Sequence, residues 1–184
     1  PSLSNGSTTT PSPTTTVTEG TLRIPTLWNT VRSLNQVIDI DYIIPGCPPQ
    51  SDQIAAVVGA VIDILKNGKP LPPKGTILGA TEKSCCDECT RKKDVKKIKQ
   101  FVRPFERTFD PDICLMEQGL VCLGPATRGG CGAKCVGAGM PCRGCYGRPS
   151  NVRDQGAKMA SALASVIDST DPAEIQRIVD TIPD

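Results

Sequence analysis

Histidine is absent from all 184 residues. That excludes Ser-His-Asp and Cys-His nucleophile systems, a Cys/His zinc finger, a zincin helix and any imidazole proton shuttle. Aromatic residues number six, Trp28, Tyr42, Tyr146, Phe101, Phe105 and Phe109, too few for a surface that stacks single-stranded nucleic acid. Charge of one sign is also lacking. With 21 Lys+Arg against 19 Asp+Glu the net charge is +2, so no global field draws the chain to nucleic acid or an anionic membrane. Long apolar runs are missing too: the longest, Ile54 to Leu65, spans 12 residues and is broken by Asp63, too short for a membrane span, and the sequence is read as carrying no signal-peptide pattern.

Cysteine is what the chain does have. There are ten, and nine fall between Cys85 and Cys145, with Cys47 alone before them. Five disulfides would suit a shorter secreted scaffold that cannot build a core, so a soluble, reduced compartment is the expected setting.

Residues 1–18 hold four Ser, seven Thr and three Pro, a composition that predicts an exposed loop or disordered arm over 1–20. The β-branched run Val37 to Ile44, stopped by Pro45-Gly46, reads as a strand, with Cys47 just past its C-terminal end. In open α/β sheets that edge is where cofactors bind. Ser51-Asp52-Gln53 then starts an amphipathic helix carrying Ile54, Val57, Val58, Val61, Ile62 and Leu65, ended by Asn67-Gly68. Strand, turn and helix read as the last unit of a doubly wound α/β domain over 21–75, because one strand and one helix cannot form a domain alone.

After the linker Lys69 to Gly75, residues 76–150 form the cysteine region. Nine glycines lie within 119–147, too many for helix or sheet, so what is bound should shape the backbone. Residues 151–184 recover regular structure. A helix is predicted from about Asp154 to Asp168 and another from Asp171-Pro172 to about Ile182, both covering the core.

The spacings Cys86-x2-Cys89, Cys114, Cys122, Cys131-x3-Cys135 and Cys142-x2-Cys145 divide into two sets of four. Four thiolates suit either tetrahedral zinc or a cubane iron-sulfur cluster, and spacing alone does not separate the metals. Glycine-rich loops such as Gly129-Gly130-Cys131-Gly132 and Pro141-Cys142-Arg143-Gly144-Cys145 favour iron-sulfur, because they let backbone N–H groups turn toward sulfur. Structural zinc and disulfides stay open as alternatives. Cys85 reads as a bystander thiol rather than a ligand. Over 91–107 eight basic residues face two acidic ones; this is a solvated face or a docking patch for an acidic electron-transfer partner, and without interleaved aromatics it does not point to nucleic acid.

Taken in order, Pro45-Gly46-Cys47-Pro48-Pro49, Cys86-x2-Cys89, Cys114-Leu115-Met116-Glu117-Gln118-Gly119, Cys122-Leu123-Gly124-Pro125 and Pro141-Cys142-Arg143-Gly144-Cys145 resemble the small, electron-transferring subunit of nickel-iron hydrogenases. The likeness runs from about Glu19 to Ile167. It is nearest the cytoplasmic methyl-viologen-reducing type of methanogens and related anaerobes, which works with heterodisulfide reductase. The resemblance implies the end of a flavodoxin-like doubly wound domain followed by an irregular, Cys/Gly-rich iron-sulfur domain with C-terminal helices.

The same resemblance assigns Cys47 as one ligand of a proximal 4Fe-4S cluster, Cys131, Cys135, Cys142 and Cys145 as medial 4Fe-4S ligands, and Cys86, Cys89, Cys114 and Cys122 as distal 4Fe-4S ligands. Cys86 stands where many relatives carry histidine, and Cys135 where some carry proline and a cluster with one iron fewer. An all-thiolate shell adds negative charge and should lower the potential. The family's other three proximal ligands have no match before Cys47, so either the chain is the C-terminal portion of a longer subunit, the favoured expectation, or a separate polypeptide provides the rest of the third cluster.

The implied role is a non-catalytic electron relay, cytoplasmic and without a membrane span. Its implied partners are a nickel-iron large subunit that activates dihydrogen and an acceptor subunit carrying iron-sulfur or flavin. A free-standing ferredoxin-like carrier and a zinc-stabilised interaction module are the competing readings.

Overall fold

A computed structural model describes residues 12–26, 28, 30–93 and 98–183. The chain divides into two units, Pro1–Ile40 and Asp41–Asp184. The division falls at Ile40/Asp41, ahead of the strand.

In the first unit, β1 (Thr14–Val17) pairs antiparallel with β2 (Gly20–Arg23), with Thr14 opposite Arg23 and Val17 opposite Gly20. This corrects the expectation of a loop or disordered arm for the part of 1–20 that is described; residues 1–11 lie outside the described residues. The β-branched Thr14-Thr15-Thr16-Val17 suits a pleated ribbon, and Ser12 Oγ, 2.8 Å from the Thr14 carbonyl, steadies its entry. All eight strand residues are exposed.

The strand expected over Val37–Ile44 is shorter. A 3-10 turn, Leu34–Gln36, comes first, and the Val37 and Ile38 N–H groups close back onto the Leu34 carbonyl. The strand, β3, is Tyr42–Ile43 alone. Its partner β4, Thr76–Ile77, runs parallel, Tyr42 opposite Thr76 and Ile43 opposite Ile77. Pairing ends there because the partner offers so few groups: Gly75 N–H to Asp41 O and Leu78 N–H to Ile43 O complete the ladder. Among the described residues no sheet is wider than two strands.

Helix α1, Ser51–Lys66, crosses from β3 to β4 as the periodicity predicts. It buries Gln53 and Val57, while Ile54, Val58, Ile62 and Leu65 are exposed. The linker expected at 69–75 therefore lies inside a β-α-β unit.

The second unit's core gathers around the cysteine region. Cys85, Cys122 and Cys142 are buried in one cluster with Leu115, Leu120 and Met116. A short helix, α2 (Lys134–Gly137), interrupts the glycine-rich stretch whose composition predicts no helix. Two helices cover this core, α3 (Gln155–Ala164) and α4 (Pro172–Val179), which bury Met159 and Ile178. Asp154 and Asp171 cap them as the sequence predicts. Each helix ends some three to four residues earlier than its apolar pattern suggests.

Candidate metal centre

Cys86, Cys89, Cys114 and Cys122 line one cavity of about 360 Å³, with Arg91 and Lys93 at its wall. Each thiol is delivered by a separate device. Cys86 lies on the 3-10 turn Cys85–Asp87, which Asp87 caps by accepting from the Ser84 N–H (2.7 Å) and hydroxyl (2.8 Å). Cys89 follows as that turn unwinds, its N–H donating to Cys86 O at 3.3 Å. Cys114 is fixed by a bridge in which its N–H donates to Lys92 O at 2.7 Å. Cys122 follows the 3-10 turn Met116–Gln118.

Gly124 shows how tightly this wall is built. A Cβ there would stand 2.9 Å from Cys86 Sγ and 3.7 Å from Cys122 Sγ, so only glycine leaves the two sulfurs their room. Burial pushes the Cys86 thiol up to about 12, with the neighbouring thiols adding to the effect and Lys93 opposing it. Burial also raises Cys122, against the lowering effect of the Gly124 and Cys142 N–H groups.

Cys131, Cys135, Cys142 and Cys145 form the second set. The Cys145 thiol is raised first by burial and then by the charges of Cys142, Cys131 and Cys135, so all four are electrostatic neighbours. Cys142 is held down to about 6, chiefly by its hydrogen bond with the Cys85 thiol, with the Gly144 N–H assisting; the Thr127 hydroxyl donates to Leu123 O at 2.6 Å. Cys85 is raised, first by its hydrogen bond with Cys142 and then by burial.

Nothing in the spacing places Cys85 here, since its neighbour Cys86 belongs to the other set. On a 3-10 turn successive side chains diverge by about 120°, so Cys85, which borders the first-set cavity beside Cys86, can also interact with the second set. Cys85 is 2 % exposed, the most buried cysteine among the described residues, and interacts with both Cys131 and Cys142.

One backbone contact joins the two thiol sets: the Cys142 N–H donates to Cys122 Sγ at 3.3 Å. The Cys47 backbone stands near the Cys145 thiol and lowers it against the effect of burial. The Cys47 turn is held there by Gln50 Nε2 donating to Cys131 O at 3.5 Å, by the Lys134–Asp52 ion pair at 2.8 Å, and by Tyr146. The Tyr146 hydroxyl donates to Gln53 Oε1 at 2.7 Å and Gln53 Nε2 to Gly79 O at 2.8 Å. Burial pushes Tyr146 up to about 12, with Cys131 and Cys145 contributing. Neither Gln53 nor Tyr146 carries a signal in the sequence, because their partners lie 26 to 93 residues away.

Part of the basic segment is used internally. Arg91 donates to the carbonyls of Asp110 (2.7 Å), Ile113 (3.1 Å) and Val136 (3.1 Å), and Arg107 lies 5.2 Å from the centre of the Phe109 ring. Asp94, Val95, Lys96 and Lys97 lie outside the described residues.

Among the described residues no three Cys, Asp or Glu side chains converge on a single-ion site. A cubane makes a different demand, since each of its thiolates binds its own iron around a shared core. Cys86, Cys89, Cys114 and Cys122 around one cavity that Cys85 also borders, with a glycine clearing space beside two of them, fit that demand. No described helix is long and apolar enough to cross a membrane.

No protein-family model matches the chain. It is 43% identical over 145 residues to a subunit of the vhu F420-non-reducing hydrogenase of Methanococcus voltae, covering 79% of this chain and 47% of that protein. It is 41% identical over 167 residues to the corresponding F420-non-reducing hydrogenase subunit of Methanothermobacter marburgensis, covering 86% and 51%. To the F420-non-reducing hydrogenase iron-sulfur subunit of Archaeoglobus profundus it is 39% identical over 172 residues, covering 91% and 52%. The chain thus spans about half the length of these curated relatives.

Proposed function

From the chain's homology to these subunits of F420-non-reducing hydrogenases, we propose that it serves as an electron-relay part of a nickel-iron hydrogenase complex. In this reading Cys86, Cys89, Cys114 and Cys122 hold a distal 4Fe-4S cluster, and Cys131, Cys135, Cys142 and Cys145 hold a medial one. Cys47 supplies one ligand of a proximal cluster whose remaining ligands are not among the other nine cysteines. When bound, such clusters supply one-electron carriers. The partners are a large subunit that splits dihydrogen and an acceptor subunit of the heterodisulfide-reductase-linked kind, and the setting is the cytoplasm.

The observation that carries this reading is the serial order of the thiol groups. The Cys47 backbone neighbours the Cys145 thiol, and the Cys142 N–H donates to Cys122 Sγ at 3.3 Å. The order is that of a wire: proximal position, second set, first set. The chain's own residues then bind and shield the carriers and tune them, through the Gly124, Cys142 and Gly144 N–H groups aimed at ligand sulfur. The Cys131 and Cys142 thiolates are each indispensable to one carrier.

The test is hydrogen-dependent viologen reduction by the complex copurified with this chain. Cys142→Ser should abolish it while nickel content and the large subunit's own hydrogen-isotope exchange persist. Unchanged dye reduction would contradict the medial assignment, and a chain that copurifies with no nickel-containing partner would favour a free carrier.

A further inference from the structure

We propose that Glu88 is a positioning residue that clamps the Cys131 loop onto the Cys86-x2-Cys89 loop and sets the potential of the carrier held by the second thiol set; this rests on the iron-sulfur reading above. Glu88 lies between two ligands of the first set, yet its carboxylate serves the second. Oε1 accepts the Gly130 N–H at 2.6 Å and Oε2 accepts the Gly132 N–H at 2.8 Å. These amides flank Cys131, 42 and 44 residues away in sequence. Short hydrogen bonds from two amides to one carboxylate are charge-assisted and fix direction as well as distance.

The loop is shaped to receive this carboxylate. Gly130 and Gly132 have φ +117° and +62°, which turn their N–H groups toward one side. At Gly129 a Cβ would come within 2.5 Å of Glu88 Oε1, so a side chain there would expel the clamp. The approach is guided by Cys85 N–H to Thr127 O (2.7 Å), Gly129 N–H to Lys83 O (2.7 Å) and Thr81 N–H to Gly129 O (3.0 Å), which lay the two segments side by side.

The consequence reverses one expectation from the sequence. The Gly129-Gly130-Cys131-Gly132 loop reads as a source of N–H groups for sulfur, but two of those groups are directed to Glu88. A carrier at Cys131 therefore has two fewer amide donors and one more negative charge beside it. Both changes favour its oxidised form and lower its potential.

Glu88→Gln keeps the shape, removes the charge and leaves one amide facing an NH2 group. In the anaerobically purified complex, a redox titration followed by electron paramagnetic resonance should show the second-set signal moving to more positive potential, with the first-set signal moving less. The second-set signal is identified as the one altered in Cys135→Ser. Asp87→Asn, which removes a charge one residue away but leaves the clamp, should move the second-set signal less than Glu88→Gln does. Glu88→Ala, which removes both contacts, should in addition release iron from the second set before the first. Wild-type potentials in Glu88→Gln, an equal shift in Asp87→Asn, or equal iron loss from both sets in Glu88→Ala would overturn the clamp. Wild-type protein without iron would overturn the iron-sulfur reading beneath it.

Discussion

Cys86 and Cys142 carry the same side chain and are driven in opposite directions. Cys86 is pushed up to about 12 by burial, whereas Cys142 is held down, first by its hydrogen bond with Cys85. Because Cys86 is raised in the fold above an unfolded value of about 8.5, the metal-free fold has its full Cys86 contribution below that pH and loses it as pH climbs toward 12. The melting temperature of the metal-free chain should accordingly be flat with respect to Cys86 up to about pH 8.5 and fall above it, and Cys86→Ala should flatten the decline. Gly124→Ala makes a steric test. With a methyl group 2.9 Å from Cys86 Sγ, overpacking of about 1–3 kcal/mol is expected, and iron retained after desalting should drop by about half, the share of one of two cubanes.

At the scale of elements, α1, α3 and α4 are legible because their apolar spacing is a local signal, and for α3 and α4 so are the caps Asp154 and Asp171, whereas α1 is capped by Gln50. Asp171 accepts from Ala173 and Glu174 N–H at 3.3 Å each, and Asp171→Ala should cost about 1 kcal/mol, roughly 2–4 °C in melting temperature, with iron content unchanged. The strand at 37–44 is shorter than its composition implies because a β-branched run states a propensity while pairing needs a partner, and β4 offers only Thr76 and Ile77. The hairpin Thr14–Arg23 escapes a compositional reading because its β-branched run is hidden among Ser and Pro. In the site, the cysteines themselves can be counted and spaced. Their assistants cannot: Glu88, Gln53, Tyr146 and the inward side of Cys85 act through contacts that span 26 to 93 residues, or 46 to 57 for Cys85 with Cys131 and Cys142, which no local pattern encodes.

Across the whole molecule, the cysteine region and the hydrophobic core of Asp41–Asp184 coincide. Cys85, Cys122 and Cys142 pack with Leu115 and Leu120, so under the proposed reading a cluster bound by the thiols would also order the fold. Binding energy at such sites is folding energy. Stripping the metal should lower the melting temperature and expose Met159 and Ile178, seen as increased protease sensitivity of α3 and α4 and as binding of an apolar dye. The central claim is that eight thiolates hold two cubanes, and it is tested most directly by iron, acid-labile sulfide and zinc per chain after anaerobic purification. Iron and sulfide at about eight each, or about twelve with a complete proximal cluster, are the predicted result; zinc without sulfide would contradict it.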